Sequence, residues 1–445
     1  MTASVTRLRA LGRSLLDGFW LVPAGVALAY ALLALLLVAV DRAAGPTGVS
    51  MGFDGDADAS RDILSTLAGS LITVAGVAFS LTIVVLVLVS SQFSPRALPG
   101  FLADRLNQVV AGSFIGIFAY CLIVLASVRE RSAATQGFVP AASVMVAILL
   151  GLAALALLLV FIHHMGQSIQ ASEICARLGS QTLAAIDRLH PEPYARTGTD
   201  ARAETARAWR PDRPPQRAYP RRAGYVQGVP VEGLLASVAR SGARLHVLVC
   251  AGDFVTEGTP VVEVWAPEPL DDTRLAALGR AIPVASERHL AGDAAYGIRQ
   301  LADVAVKALS PGINDPTTAA TCIGHLRAIL ERLAGRSLPP ALVEGEGGTA
   351  VAVVRVRTWD EYVDGAYAEI GRYGTDNARI TLDVLGALDG IAAAATRASA
   401  RERRAVLGVL AQAVAVPALA AARTPRDEAA VAAALERVSR RVAES

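Results

Sequence analysis

The densest gathering of chemistry-bearing side chains lies between residues 307 and 318. Lys307, the only lysine in the chain, stands within a dozen residues of Ser310, Asn314, Asp315 and Thr317. Two uses suit those types at that spacing. Free amides at the start of the helix that follows could hold an anion beside the lysine. Alternatively the run is mechanical: Pro311 and Gly312 stop one helix, and Asp315 caps the next with Pro316 in its first turn. A capping carboxylate would occupy the place an anion needs.

Other chemistry is sparse. The sequence has no GxxxxGK[ST] loop, HExxH or GxSxG, so nucleotide hydrolysis on a P-loop, zincin chemistry and a nucleophile elbow find no support. The four cysteines, Cys121, Cys175, Cys250 and Cys322, form no CxxC pair, and four reduced, buried thiols are expected. His163 and His164 adjoin, but neighbours on a helix point about 100° apart and make a poor metal pair. No enzyme activity, metal or cofactor is expected. The formal net charge of +2 gives no field to attract nucleic acid.

Whatever these residues do, they are carried by a chain whose first third is built for lipid. Four stretches, residues 18–40, 63–91, 106–128 and 139–162, contain no charged residue. Each reaches the roughly 20 apolar residues that cross a hydrocarbon core. The lipid bilayer is therefore the first expected partner. The opening stretch follows Arg7, Arg9 and Arg13 as a signal peptide would, but its apolar run is too long, and a retained anchor is expected. Arginines favour a cytoplasmic N-terminus: three precede the first span, Arg96 and Arg105 lie in the second loop, and Arg177 and Arg188 follow the fourth. Four spans return the C-terminus to the same side, with the inner membrane of a bacterium as the expected location.

Small residues recur in the second span at Gly69, Thr73, Gly76 and Ser80, in steps of four, three and four that keep them on one helix face. The third span carries Gly112 and Gly116, a GxxxG pair. Such faces let helix backbones approach closely in lipid. They serve helix packing, or the second-span face lines a path in a homo-oligomer. The absence of mid-span charge disfavours a proton relay.

Behind the spans the expected order is a helical extension and Pro/Arg-rich linker over residues 166–223, a small β module over 224–270 and a mainly helical domain over 271–445. In the module, Gly252-Asp253-Phe254-Val255-Thr256-Glu257-Gly258 joins two β-rich runs and resembles the hairpin of biotinyl/lipoyl barrel-sandwich domains. Those carriers load their cofactor on a lysine, which this hairpin lacks. The expected fold is mixed: four transmembrane helices (residues 1–165), then a cytoplasmic α+β region.

Gly76-Val77-Ala78-Phe79-Ser80, the exit Ser91-Gln92-Phe93-Ser94-Pro95-Arg96, Gly252-Asp253-Phe254-Val255 and Ala308-Leu309-Ser310-Pro311-Gly312-Ile313-Asn314-Asp315-Pro316 together resemble the bacterial membrane-protein family known as domain of unknown function 2254. The resemblance runs from the first span to at least residue 373 and implies the membrane topology, not a reaction. Two functions stay open. One is an oligomeric channel or transporter gated by its cytoplasmic domain, passing an unknown ion or small molecule. The other is a membrane-anchored sensor or scaffold acting through that domain.

Overall fold

The computed structural model describes residues 20–44, 56–92, 104–129, 138–168, 170–194, 214–345 and 351–443. The N-terminal arginines, residues 93–96 of the second-span exit and residues 195–213 of the expected linker lie outside them. The chain divides into two compact units, residues 1–173 and 174–445.

The first unit holds four long helices: α1 (Leu21–Ala44), α2 (Ala57–Gln92), α3 (Arg105–Ser127) and α4 (Ala141–Ser168). All four are long and apolar enough to cross a membrane, and so by length and composition is a fifth, α12 (Arg403–Ala420), in the second unit. α3 is the hub. It packs on α1, α2 and α4 and buries Phe114, Ile117, Tyr120 and Val124. The other three leave Leu28, Leu32, Ile72, Val77, Leu152 and Leu159 exposed, the outward apolar surface that lipid tails solvate.

Polar clasps close the two ends of this bundle. At one end Asp41 Oδ2 accepts from the Ser143 amide at 3.0 Å and from its hydroxyl at 2.5 Å, while the Tyr120 hydroxyl donates to the Ser143 carbonyl at 2.9 Å. At the other end Asp104 caps α3 through the Leu106 amide, and its second oxygen lies 2.7 Å from His164 Nε2. His164 thus serves a carboxylate and not its neighbour His163.

The second unit begins with α5 (Ala171–Leu189), whose apolar face buries Ile174, Cys175, Leu178 and Ile186. A small mixed sheet follows, in the order β1 (Gln216–Ala218), β5 (Val262–Trp265), β3 (Arg244–Val247), β8 (Val351–Val354), β7 (Leu342–Glu344). β3 and β8 run parallel, in register from Arg244–Val351 to Val247–Val354, and the other pairs are antiparallel. A three-stranded sheet, β4 (Phe254–Val255), β2 (Gly224–Val226), β6 (Val284–Ala285), lies beside it. The two sheets and α6 (Val231–Val238) close on one core of Leu234, Leu245, Val247, Val262 and Val264. The sheets therefore recruit strands beyond residues 224–270. β1, three residues long, falls where a linker is expected because so short a run shows no alternation. β7 and β8 arrive from about a hundred positions along the chain, a pairing that no local pattern announces.

After α7 (Asp272–Ala281) come α8 (Ala294–Ala308), α9 (Pro316–Ala334), α10 (Trp359–Tyr373), α11 (Ala378–Arg397), α12 and α13 (Pro425–Ala443). They form one bundle in which α9 packs on α8 and α11, and α12 on α10, α11 and α13. Several of its starts are capped by side chains, that of α9 among them. Thr358 and Glu361 make a reciprocal capping box on α10, and Asn377 accepts from the Arg379 and Ile380 amides on α11.

Candidate functional site

The two small-residue faces of the membrane unit differ in their surroundings. A Cβ built on Gly112 would lie 2.7 Å from the Pro23 carbonyl oxygen, and one on Gly116 would lie 2.5 Å from a ring carbon of Tyr30. These glycines let α3 cross α1 backbone to backbone. Gly69 and Gly76 meet nothing within 4 Å. Thr73 and Ser80, on the same face of α2, are exposed with them. The Thr73 hydroxyl turns back to the Gly69 carbonyl at 2.9 Å, which satisfies it within the helix. The buried side of α2 is the opposite one, Leu64, Ala68, Leu71, Ala75 and Ala78.

The 307–318 run is a capped turn. Asp315 accepts from the Thr317 amide at 3.1 Å, the Thr318 amide at 3.0 Å and the Thr318 hydroxyl at 2.5 Å. That hydroxyl, then the amides, hold the carboxyl below its ordinary range. Ser310 Oγ donates to the Lys307 carbonyl at 2.7 Å, and Asn314 takes a left-handed φ of +49° to complete the turn. The start of α9 is thus filled by its own side chain. Lys307 and Ser310 belong to the end of α8, Asn314 to the turn, and Asp315 and Thr317 to the start of α9; the fold brings them to one joint without aiming them at a shared point.

A cavity of about 350 Å³ opens elsewhere in the second unit, between the β layers and the helices. One wall is the end of β8 with Arg355 and Arg357, and another is the turn Cys250–Ala251. The helical side contributes His190, the start of α8 at Gly292–Ala294, and Tyr362. Val229, Val231 and Val356 supply apolar surface. A wider concavity of about 820 Å³ lies along Pro267, Pro269 and Arg274, but Arg274 there pairs with its helix neighbour Asp271.

The Gly252-Asp253 pair, which the sequence offers only as a hairpin, directly follows the Cys250–Ala251 wall of the cavity and fixes its turn. Gly252 has φ +89°, and a Cβ on it would come 2.3 Å from Asp293 Oδ2 and 2.7 Å from Arg288. Only glycine lets this turn lie against that ion pair. Asp253 accepts from the Cys250 amide at 3.0 Å and pairs with Arg355 at 2.6 Å. Burial pushes the Cys250 thiol up to about 11, so it stays neutral. His190 is 5% exposed, and its Nδ1 has no hydrogen-bond partner. Burial, then the nearby Arg403 charge, hold it below the ordinary histidine range and so uncharged at neutral pH. These cavity residues are missed by sequence reasoning, because His190, Gly292, Arg357 and Tyr362 are scattered over more than 170 positions. The glycine preceding an aspartate was the one local signal.

Among the described residues no group of histidine, cysteine and carboxylate side chains could hold a metal ion. No solved structure matches the chain. Uncharacterized proteins of Mycobacterium tuberculosis and Mycobacterium bovis are each 32% identical to it over 400 residues, spanning 88% of this chain and 75% of the relative. The family model described as "Predicted membrane protein (DUF2254)" matches residues 17–390. With so much of its length matched, and with apolar helices of spanning length where that description requires them, the chain belongs to the DUF2254 family of membrane proteins.

Proposed function

We propose that the protein is an oligomeric channel or transporter of the bacterial inner membrane, in which α1 to α4 span the bilayer and the second unit is the control element in the cytoplasm. One observation carries this reading. The small-residue face of α2 is uncovered, while the glycine pair of α3 is already used within the chain. In lipid, a face of Gly69, Thr73, Gly76 and Ser80 gives little packing against tails and much against another helix. Several copies joined or facing along it would place two hydroxyls per copy beside the shared axis.

α12 reaches spanning length, but it buries Leu407, Leu410, Ala411 and Val414 and packs on α10, α11 and α13. We assign it to the cytoplasmic bundle, which leaves four spans and both termini in the cytoplasm. The test is the purified full chain in mild detergent and in liposomes. Several copies per particle, ion or solute flux, and labelling of Thr73→Cys and Ser80→Cys by a membrane-impermeant thiol reagent are expected. A monomer that passes nothing under voltage, with both positions protected, would remove the proposal.

A further inference from the structure

We propose that the cavity beside Arg357 binds a small organic anion, with the Arg357 guanidinium and the start of α8 receiving its charge and the valine wall covering its apolar body. The pairing pattern around the cavity carries this. Asp293 is held by Arg288 at 2.6 Å. Arg355 bridges Asp253 at 2.6 Å and Glu361 at 3.6 Å. Asp293 thus has a cation of its own, while Asp253 and Glu361 share Arg355.

Arg357 is left with the Ala251 carbonyl at 3.3 Å and the Cys250 sulfur at 3.9 Å, and makes no salt bridge among the described residues. A half-buried guanidinium with most of its donors uncommitted is a ready partner for a carboxylate or phosphate, because both offer oxygens at the spacing of its fork.

Three further groups converge. α8 starts at the cavity, and Asp293 makes no side-chain hydrogen bond to its first amides. The amides of Ala294 and Ala295 and the positive end of the helix dipole are therefore available, the Tyr296 amide being taken by the Asp293 carbonyl. His190 is buried with Nδ1 unpartnered, and its Nε2 lies 3.5 Å from the Tyr362 hydroxyl. One proton of this neutral pair joins imidazole to phenol, and the other, on Nδ1 or on the hydroxyl, can be donated to an anion without adding charge. The volume of about 350 Å³ lies within the usual range for small-molecule sites. The apolar part of the lining selects an organic body over a bare inorganic ion.

The test is calorimetric titration of the full chain in detergent with phenyl phosphate and benzoate, with benzyl alcohol as the neutral control. Saturable binding of at least one anion is expected, with the alcohol silent. Arg357→Gln should weaken that binding by about tenfold or more. Val229→Trp fills the cavity without changing charge and should abolish binding, and an unchanged melting temperature without ligand certifies each variant as folded. The site is refuted if neither anion saturates at millimolar concentration. It is equally refuted if benzyl alcohol binds as well as the anions, or if both folded variants bind like the parent. None of these outcomes depends on whether the protein oligomerises or conducts.

Discussion

Gly112 of α3 lies so close to Pro23 of α1 that a Cβ would stand 2.7 Å from the proline carbonyl oxygen and 2.8 Å from its Cα. Both obstacles are backbone, so no rotamer change relieves them. Gly112→Val should push α1 off α3 and lower stability by roughly 1–3 kcal/mol, the usual cost of overpacking. Gly76 has open space around it, and Gly76→Ala should leave the monomer's stability unchanged or slightly raised. Thermal melting of the two variants in the same detergent checks this. Equal destabilisation by both would mean that the faces of α2 and α3 are not distinguished in this way.

The Asp315 cap sets a pH dependence. Its carboxyl lies below the ordinary range because the Thr318 hydroxyl and the Thr318 and Thr317 amides bond its charged form. With the folded value depressed, the stabilisation is complete above the unfolded value of about 4 and is lost as pH falls through the folded value. Asp315→Ala should cost about 1 kcal/mol at neutral pH. The gap between parent and variant should close on acidification below about pH 4. Asp315→Asn keeps an acceptor and should show a smaller loss with little pH dependence. Melting curves of the three proteins across that range decide it, and a gap that widens in acid would contradict the cap.

Arg403 locks three elements of the bundle together. Its Nη1 donates to the Leu333 and Ala334 carbonyls at 2.8 and 3.1 Å, closing the end of α9. Its plane lies over the Tyr194 ring at 4.8 Å and the Trp359 ring at 5.1 Å, and the Trp359 indole donates to the Arg403 carbonyl at 2.9 Å. Lysine has neither the fork nor the plane. Arg403→Met leaves two buried carbonyls without their donor, at a cost of roughly 1–3 kcal/mol, and Arg403→Lys should recover only part. Chemical denaturation followed by tryptophan fluorescence measures both, and full recovery by lysine would show that charge alone matters there.

The sequence announces what local physics controls. Charge-free runs mark α1 to α4, and the Asp315-Pro316 pair places the start of α9 within a residue, because caps and spans are decided by neighbours in the chain. The parallel pairing of β3 with β8 joins Leu245 to Ala352, across a separation that only the finished core enforces. The cavity is hidden for the same reason. Arg357 resembles any other arginine until Arg355 and Arg288 are seen to have taken the carboxylates. Likewise Gly69 and Gly112 sit in similar patterns, and only tertiary packing shows that one face is covered and the other open.

Cys175 on α5 and Cys322 on α9 are both buried, with their sulfurs 3.2 Å apart. A disulfide needs them about 1 Å closer, since the S–S bond is about 2.05 Å long. The azo compound diamide supplies the oxidant: the two thiols lose their hydrogens, the azo group becomes a hydrazine, and the S–S bond ties α5 to α9. Because neither sulfur is exposed, the rate should follow local opening of the bundle and rise sharply a few degrees below melting. The bond would close a loop across 147 positions, which raises stability by up to about 4–5 kcal/mol in the chain-entropy description. Peptide mapping under non-reducing conditions should find Cys175 joined to Cys322, Cys121 and Cys250 still reduced, and a higher melting temperature that dithiothreitol reverses. Recovery of Cys175 and Cys322 as separate thiols after prolonged oxidation near the melting temperature would show that α5 and α9 do not hold them face to face.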